Sequence, residues 1–91
     1  MEVRVFATLR DVVGGKSVYV DVDSGVSVRQ LLAQLLDKYP DLRSKLLTED
    51  GQLNPSVHIL VNGRDVRFLQ GLETVITAQD TVQMFPPVGG G

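Results

Sequence analysis

Between residues 28 and 39 the chain carries one long apolar stripe of helical period, made by Val28, Leu31, Leu32, Leu35, Leu36 and Tyr39. A helix with one apolar face needs something apolar to cover. Its start is marked by Ser27 with Gln30 three residues on, the form of a capping box, and by Val26 and Leu31 where a hydrophobic staple would sit. Arg29, Gln34, Asp37 and Lys38 fall on the water side, and Pro40 ends the helix. Asp41 to Leu47 has the makings of a short second helix showing Leu42, Leu46 and Leu47.

Strand patterns flank the helix on both sides. Glu2 to Ala7 alternates, with Val3, Val5 and Ala7 on one face and Arg4 and Phe6 on the other, and Gly14-Gly15 marks a turn. Ser17 to Asp23 alternates again, Val18, Val20 and Val22 against Tyr19, Asp21 and Asp23, so the two runs are expected to pair as a hairpin covered on one face only. Beyond the loop from Thr48 to Pro55, Ser56 to Val61 reads as a buried strand closed by the Asn62-Gly63 turn. Arg64 to Phe68 is expected to return as a short strand, Gly71-Leu72 opens an irregular stretch, and Thr81 to Phe85 is the last strand. The order β-β-α-(short helix)-β-(β)-β, with one helix over a small mixed sheet, is the layer logic of an α+β roll.

Composition limits the chemistry. With 91 residues there is room for one domain, residues 1–85, and a tail, 86–91, expected to be flexible. Nine basic against eleven acidic residues give a net charge of −2, which argues against nucleic acid as a partner. There is no cysteine and one histidine, so thiolate zinc sites, disulfide frameworks and Cys–His nucleophiles are excluded. No metal or bound cofactor is expected. The start, Met1-Glu2-Val3-Arg4-Val5, lacks the basic n-region and apolar run of a signal peptide, and no apolar stretch approaches the ~20 residues that span a bilayer. The expectation is a cytoplasmic protein with no membrane partner.

The tail, Pro86-Pro87-Val88-Gly89-Gly90-Gly91, follows the last strand directly. Pro86 and Pro87 favour extended geometry and lower the entropy lost when a partner straightens the segment. Val88 supplies an apolar anchor. Gly89, Gly90 and Gly91 let the backbone pass a slot too narrow for a Cβ and leave the last carbonyl open to attack. The α-carboxylate of Gly91 is a poor acyl donor until activated, for instance by attack on the α-phosphate of ATP. The chain has no phosphate-binding loop and no candidate base, so the ATP site is expected on another protein.

This strand order, ending in Phe85-Pro86-Pro87-Val88-Gly89-Gly90-Gly91, resembles the MoaD/ThiS-type ubiquitin-like sulfur carriers and small archaeal modifiers, which share the β-grasp fold. Further matches are Val5-Phe6-Ala7-Thr8-Leu9-Arg10, the Val61-Asn62-Gly63 turn, and Gly71-Leu72 followed by Asp80-Thr81-Val82. The resemblance implies a carrier, not an enzyme, whose Gly91 is adenylated by an E1-like enzyme using ATP. The end then becomes a thiocarboxylate, fed by a sulfur-donor protein, or an isopeptide to a target lysine. Implied acceptors are the large subunit of molybdopterin synthase, a cysteine synthase or a tRNA thiolase. Gly89 departs from the small non-glycine residue common at that position, and Asp65-Val66-Arg67-Phe68 looks more like carriers for cysteine synthesis or archaeal conjugation. The alternatives are a small subunit of molybdopterin synthase and an interaction domain with an inert tail.

A partner must also grip the domain. Phe6, opposite Val3 and Val5, is the first candidate for docking, while the pleat leaves Phe85 open between docking and core. Arg10, Arg64 and Arg67 are candidates for contact with an acidic partner, and Arg10 is counted with the docking residues. His58 reads as a strand residue at the sheet surface, Asp21 and Asp23 as a solvated face, and Glu49-Asp50-Gly51-Gln52 as a plain turn.

Overall fold

The computed structural model describes residues 1–87. In chain order the elements are β1 (Glu2–Val5), α1 (Thr8–Val13), β2 (Ser17–Tyr19), β3 (Val26–Ser27), α2 (Val28–Lys38), a 3-10 turn at Pro40–Leu42, and α3 (Arg43–Leu46). There follow β4 (His58–Val61), β5 (Arg64–Asp65), 3-10 turns at Val66–Phe68 and Gly71–Glu73, β6 (Val75–Ile76) and β7 (Val82–Phe85). Five strands form one sheet in the order β2-β1-β7-β4-β5, and β3 pairs with β6 apart from it. β1 and β7 run parallel at the centre, and the remaining pairs are antiparallel. This is the α+β roll that the strand order implied and the β-grasp arrangement that the resemblance implied.

The helix forms where its sequence places it. Ser27 accepts the amide of Gln30, whose side chain in turn accepts the amide of Ser27, a complete capping box. Val28, Leu31, Leu32 and Leu35 are buried, and they join Val3, Val5, Val18, Val20, Val22, Ile59, Val61, Val82 and Met84 in one core. From the water side, Gln34 and Lys38 also reach the outer edge of the sheet. The Gln34 side chain accepts from the Asp21 amide at 3.1 Å and donates to the Asp21 carbonyl at 2.7 Å, and Lys38 Nζ donates to the Tyr19 carbonyl at 3.3 Å. They occupy backbone groups that another chain would otherwise pair with.

Three readings need correction. The first strand does not run to Ala7: the chain leaves the sheet after Val5, and Ala7, expected in the core, is exposed at φ 52°. That positive-φ backbone turns the chain into α1, an element the strand pattern did not predict, and Leu9 enters the core in place of Ala7. The return strand from Arg64 stops at Asp65, because the Asp65 side chain accepts the Arg67 amide at 2.9 Å and starts a 3-10 turn. The separate pairing of β3 with β6, Val26 opposite Ile76, was also unforeseen. Asn62 (φ 53°) and Gly63 (φ 83°) make the expected two-residue hairpin turn, and the Asn62 side chain ties it to Asp80 and Thr81. Among the described residues no helix is long and apolar enough to cross a membrane.

Candidate functional site

The parallel pairing of β1 with β7 decides where the sequence candidates meet. Val3 lies beside Val82 and Val5 beside Met84, all four buried beneath α2. The next residue of each strand therefore emerges on the uncovered face, at the same end of the sheet. Those residues are Phe6 and Phe85, and their rings stack with centroids 4.4 Å apart at 9°. The register thus settles Phe85 in favour of the open face. Each ring is half-buried by its neighbour, so the pair forms one rigid apolar plate in place of two separate exposed side chains. Such pairs contribute about 0.5–1.5 kcal/mol beyond area burial.

Arg10 joins them from α1. Its guanidinium carbon lies 4.8 Å from the Phe6 centroid, and its Nε donates to the Val5 carbonyl at 2.7 Å. Arg4 approaches the same ring at 5.8 Å. Neither arginine has a carboxylate partner among the described residues, in a chain whose net charge is negative. The Arg10 guanidinium is thereby held over an aromatic face with its terminal nitrogens left to donate to an outside acceptor, a geometry suited to a carboxylate on another protein. From this plate the chain continues into Pro86, which is buried, and Pro87, which is half-buried. Val88, Gly89, Gly90 and Gly91 lie outside the described residues.

The other candidates separate. Arg67 is a clamp and not a free docking group: its guanidinium donates to the Val57 carbonyl at 2.6 Å and the Asn54 carbonyl at 2.8 Å. His58 Nδ1 sits 2.8 Å from Asp65 Oδ2, at the exposed surface as expected. Asp21 and Asp23 stay exposed, and hydrogen bonding and repulsion from Asp21 push the Asp23 carboxyl up. Arg64 remains exposed. One residue was missed: Phe68 is 86% exposed, more than any other large apolar side chain described. The available signal was Asp65 followed two residues later by a residue whose amide it could cap, which breaks strand alternation before Phe68.

Asp65 links the stability of the domain to pH. Burial works to raise its pKa, but the Arg67 amide, the His58 ring and the Arg67 charge together outweigh burial and hold it below the ordinary 3.8. A carboxyl lowered in the folded state contributes stability that is fully present above its unfolded pKa and is lost as the pH falls through the folded value. Thermal melts of the protein and of Asp65→Asn should therefore differ clearly above the ordinary carboxylate range, and the difference should shrink as the pH falls below 3.8 and through the lowered folded value. A difference that persists undiminished at the acid end would show that Asp65 acts without its charge.

The ThiS family model matches residues 3–91. Small archaeal modifier protein 3 of Haloferax volcanii is 45% identical over 91 residues, 100% of this chain and 98% of that protein. The sulfur carrier protein CysO of Mycobacterium tuberculosis is 36% identical over 80 residues, covering 86% of this chain and 83% of that one. The crystal structure of SAMP1 from Haloferax volcanii superposes with a TM-score of 0.85 at 36% identity, covering 100% of this chain and 98% of that one.

Proposed function

The chain belongs to the ThiS family, as a ubiquitin-like sulfur carrier or modifier and not a catalyst, and from that membership we propose that its working group is the carboxylate of Gly91. An E1-like partner supplies the ATP site. A Gly91 carboxylate oxygen attacks the α-phosphorus, pyrophosphate leaves, and a mixed anhydride with AMP results. A persulfide on the donor protein opens the anhydride and AMP leaves; a second thiol then attacks the donor-side sulfur of the resulting acyl disulfide, releasing the Gly91 thiocarboxylate and leaving a disulfide on the donor. A lysine nitrogen instead opens the anhydride directly, losing a proton as AMP leaves, and gives the isopeptide. The acceptor is a sulfur-accepting enzyme or a target lysine.

The observation that carries this reading is the position of the Phe6–Phe85–Arg10 patch where the chain leaves the sheet for Pro86 and Pro87. A partner that threads Val88 to Gly91 into its active site must cover this point. Stacked aromatic rings flanked by arginines without ion-pair partners suit an acidic surface with an apolar centre. Gly89 and Gly90 keep the passage narrow.

Mass spectrometry of the intact chain from its native cell tests the proposal. A mass gain equal to exchange of one oxygen for sulfur reports the thiocarboxylate, and branched peptides on lysine report conjugation. An unmodified end under every growth condition would leave an interaction domain with an inert tail.

A further inference from the structure

Phe68 stands outside the patch that the tail requires. It lines a groove with Leu60, Gly63, Arg64 and Asp65, on the β5 flank of the same sheet. Between β7 and β5 lies β4, so two strand spacings, roughly 10 Å, separate this groove from the Phe85 strand. We propose that Phe68 and its groove form a second docking element, read by the protein that takes the activated group from the chain and not by the enzyme that activates it. The inference rests on the carrier reading above.

Phe68 gives the folded domain little, yet its position is tightly fixed. The turn that carries it is begun by Asp65, which accepts the Arg67 amide, and closed by the Leu69 amide donating to the Val66 carbonyl at 2.9 Å. Val66 is fully buried beneath it, and the Arg67 guanidinium pins the turn to the Val57 and Asn54 carbonyls. With the backbone of the turn clamped, only the two side-chain torsions of Phe68 remain to be ordered on binding, a small cost for an interface anchor.

Charge fixes the chemistry of the occupant. Asp65 is engaged by His58 and Arg67, whereas Arg64 is exposed and has no ion pair among the described residues. The groove therefore offers an apolar ring beside an uncompensated cation, and it fits a protein surface with an apolar cup and a carboxylate at its rim. The assignment to the accepting partner follows from the order of events. Every partner that works on Gly91 must cover the root of the tail, so contacts there cannot tell one partner from another. Activation is common to all copies, but delivery to a wrong acceptor wastes an activated end. Discrimination at that step needs contacts away from the root, and Phe68 is the most exposed apolar one described.

The test compares the wild type with Phe68→Ala, Arg64→Glu and Phe6→Ala in the native cell. Activation is read as ATP–pyrophosphate exchange with the cell's own activating enzyme, and delivery by mass spectrometry of the intact chain. For Phe68→Ala and Arg64→Glu the exchange rate and melting temperature should stay as in the wild type. Delivery should fall roughly tenfold, seen as accumulated thiocarboxylate or, where lysines are the acceptors, as lost branched conjugates. Phe6→Ala should lower exchange itself. Unchanged delivery in Phe68→Ala, or a loss of exchange matching that of Phe6→Ala, would overturn the proposal. A wild-type chain with neither thiocarboxylate nor conjugate would overturn the carrier reading, and this one with it.

Discussion

Removal of Gly90 and Gly91 is expected to leave the domain as stable as before and to reduce activation of the chain end by more than about a hundredfold, because displacement of a reacting group by even ~1 Å can cost that much. The shortened chain still ends in a glycine carboxylate, that of Gly89, so the terminal chemistry is unchanged. What changes is reach. Two residues of extended backbone span about 7 Å, and Pro86, buried against the domain, fixes where the count begins. The core contains no residue beyond Met84 among those described, so the melting temperature should not move. Gly90→Val separates reach from width, since it restores the length but places a branched Cβ where the passage must be narrow. Both variants are assayed by ATP–pyrophosphate exchange with the activating enzyme. Normal exchange by the truncated chain would refute Gly91 as the activated residue.

How much of this was legible beforehand follows the range of the forces involved. The capping box at Ser27 and Gln30 and the Asn62-Gly63 turn are set by neighbours within a few residues, and both appear where the sequence puts them. The buried stripes, Val18 to Val22 and Val28 to Leu35, are set by period and also hold. The β3–β6 pair joins Val26 to Ile76, fifty positions apart, through two residues from each side, so no local pattern announces it. α1 is six residues long and has no side-chain cap, too short to declare itself by propensity. Its one signal was the spacing of Leu9, Val12 and Val13, which fits a helix face and not a strand.

The site divides in the same way. Phe6 was assigned from the pleat of its own strand, which needs only Val3 and Val5. The face of Phe85 became clear only through the pairing of Val5 with Met84, a tertiary fact. The stack with Phe6 follows from the same pairing, and the arginine above it depends on α1, which the local pattern did not announce. The tail is read from its residue types alone, because proline and glycine act through the backbone itself, and Val88 to Gly91 lie outside the described residues.

Leu35→Ala is expected to cost about 2–5 kcal/mol, a large share of the 5–15 kcal/mol typical of a whole domain. Leu35 is 1% exposed and lies in the second half of α2, the longest helix among the described residues, in the same core as Val20, Leu42, Ile59 and Met84. Truncation there loses the transfer free energy of the side chain and leaves a void that the sheet can fill only by shifting. Leu36, one position on, is half-buried, so Leu36→Ala should cost distinctly less. Urea unfolding measures both, and an unchanged slope with a lowered midpoint would show that the native state alone has been weakened. A cost below about half a kcal/mol for Leu35→Ala would refute the packing of the helix on the sheet. The same packing is what turns Val5 and Met84 inward, and with a side-chain period of two it thereby turns Phe6 and Phe85 outward. Core and docking plate are opposite faces of one register. Under conditions where Leu35→Ala is still mostly folded, its activation by the partner enzyme should therefore match that of the wild type, since the surviving fold presents the same plate. A loss of activation out of proportion to the unfolded fraction would mean that the helix contacts the partner directly.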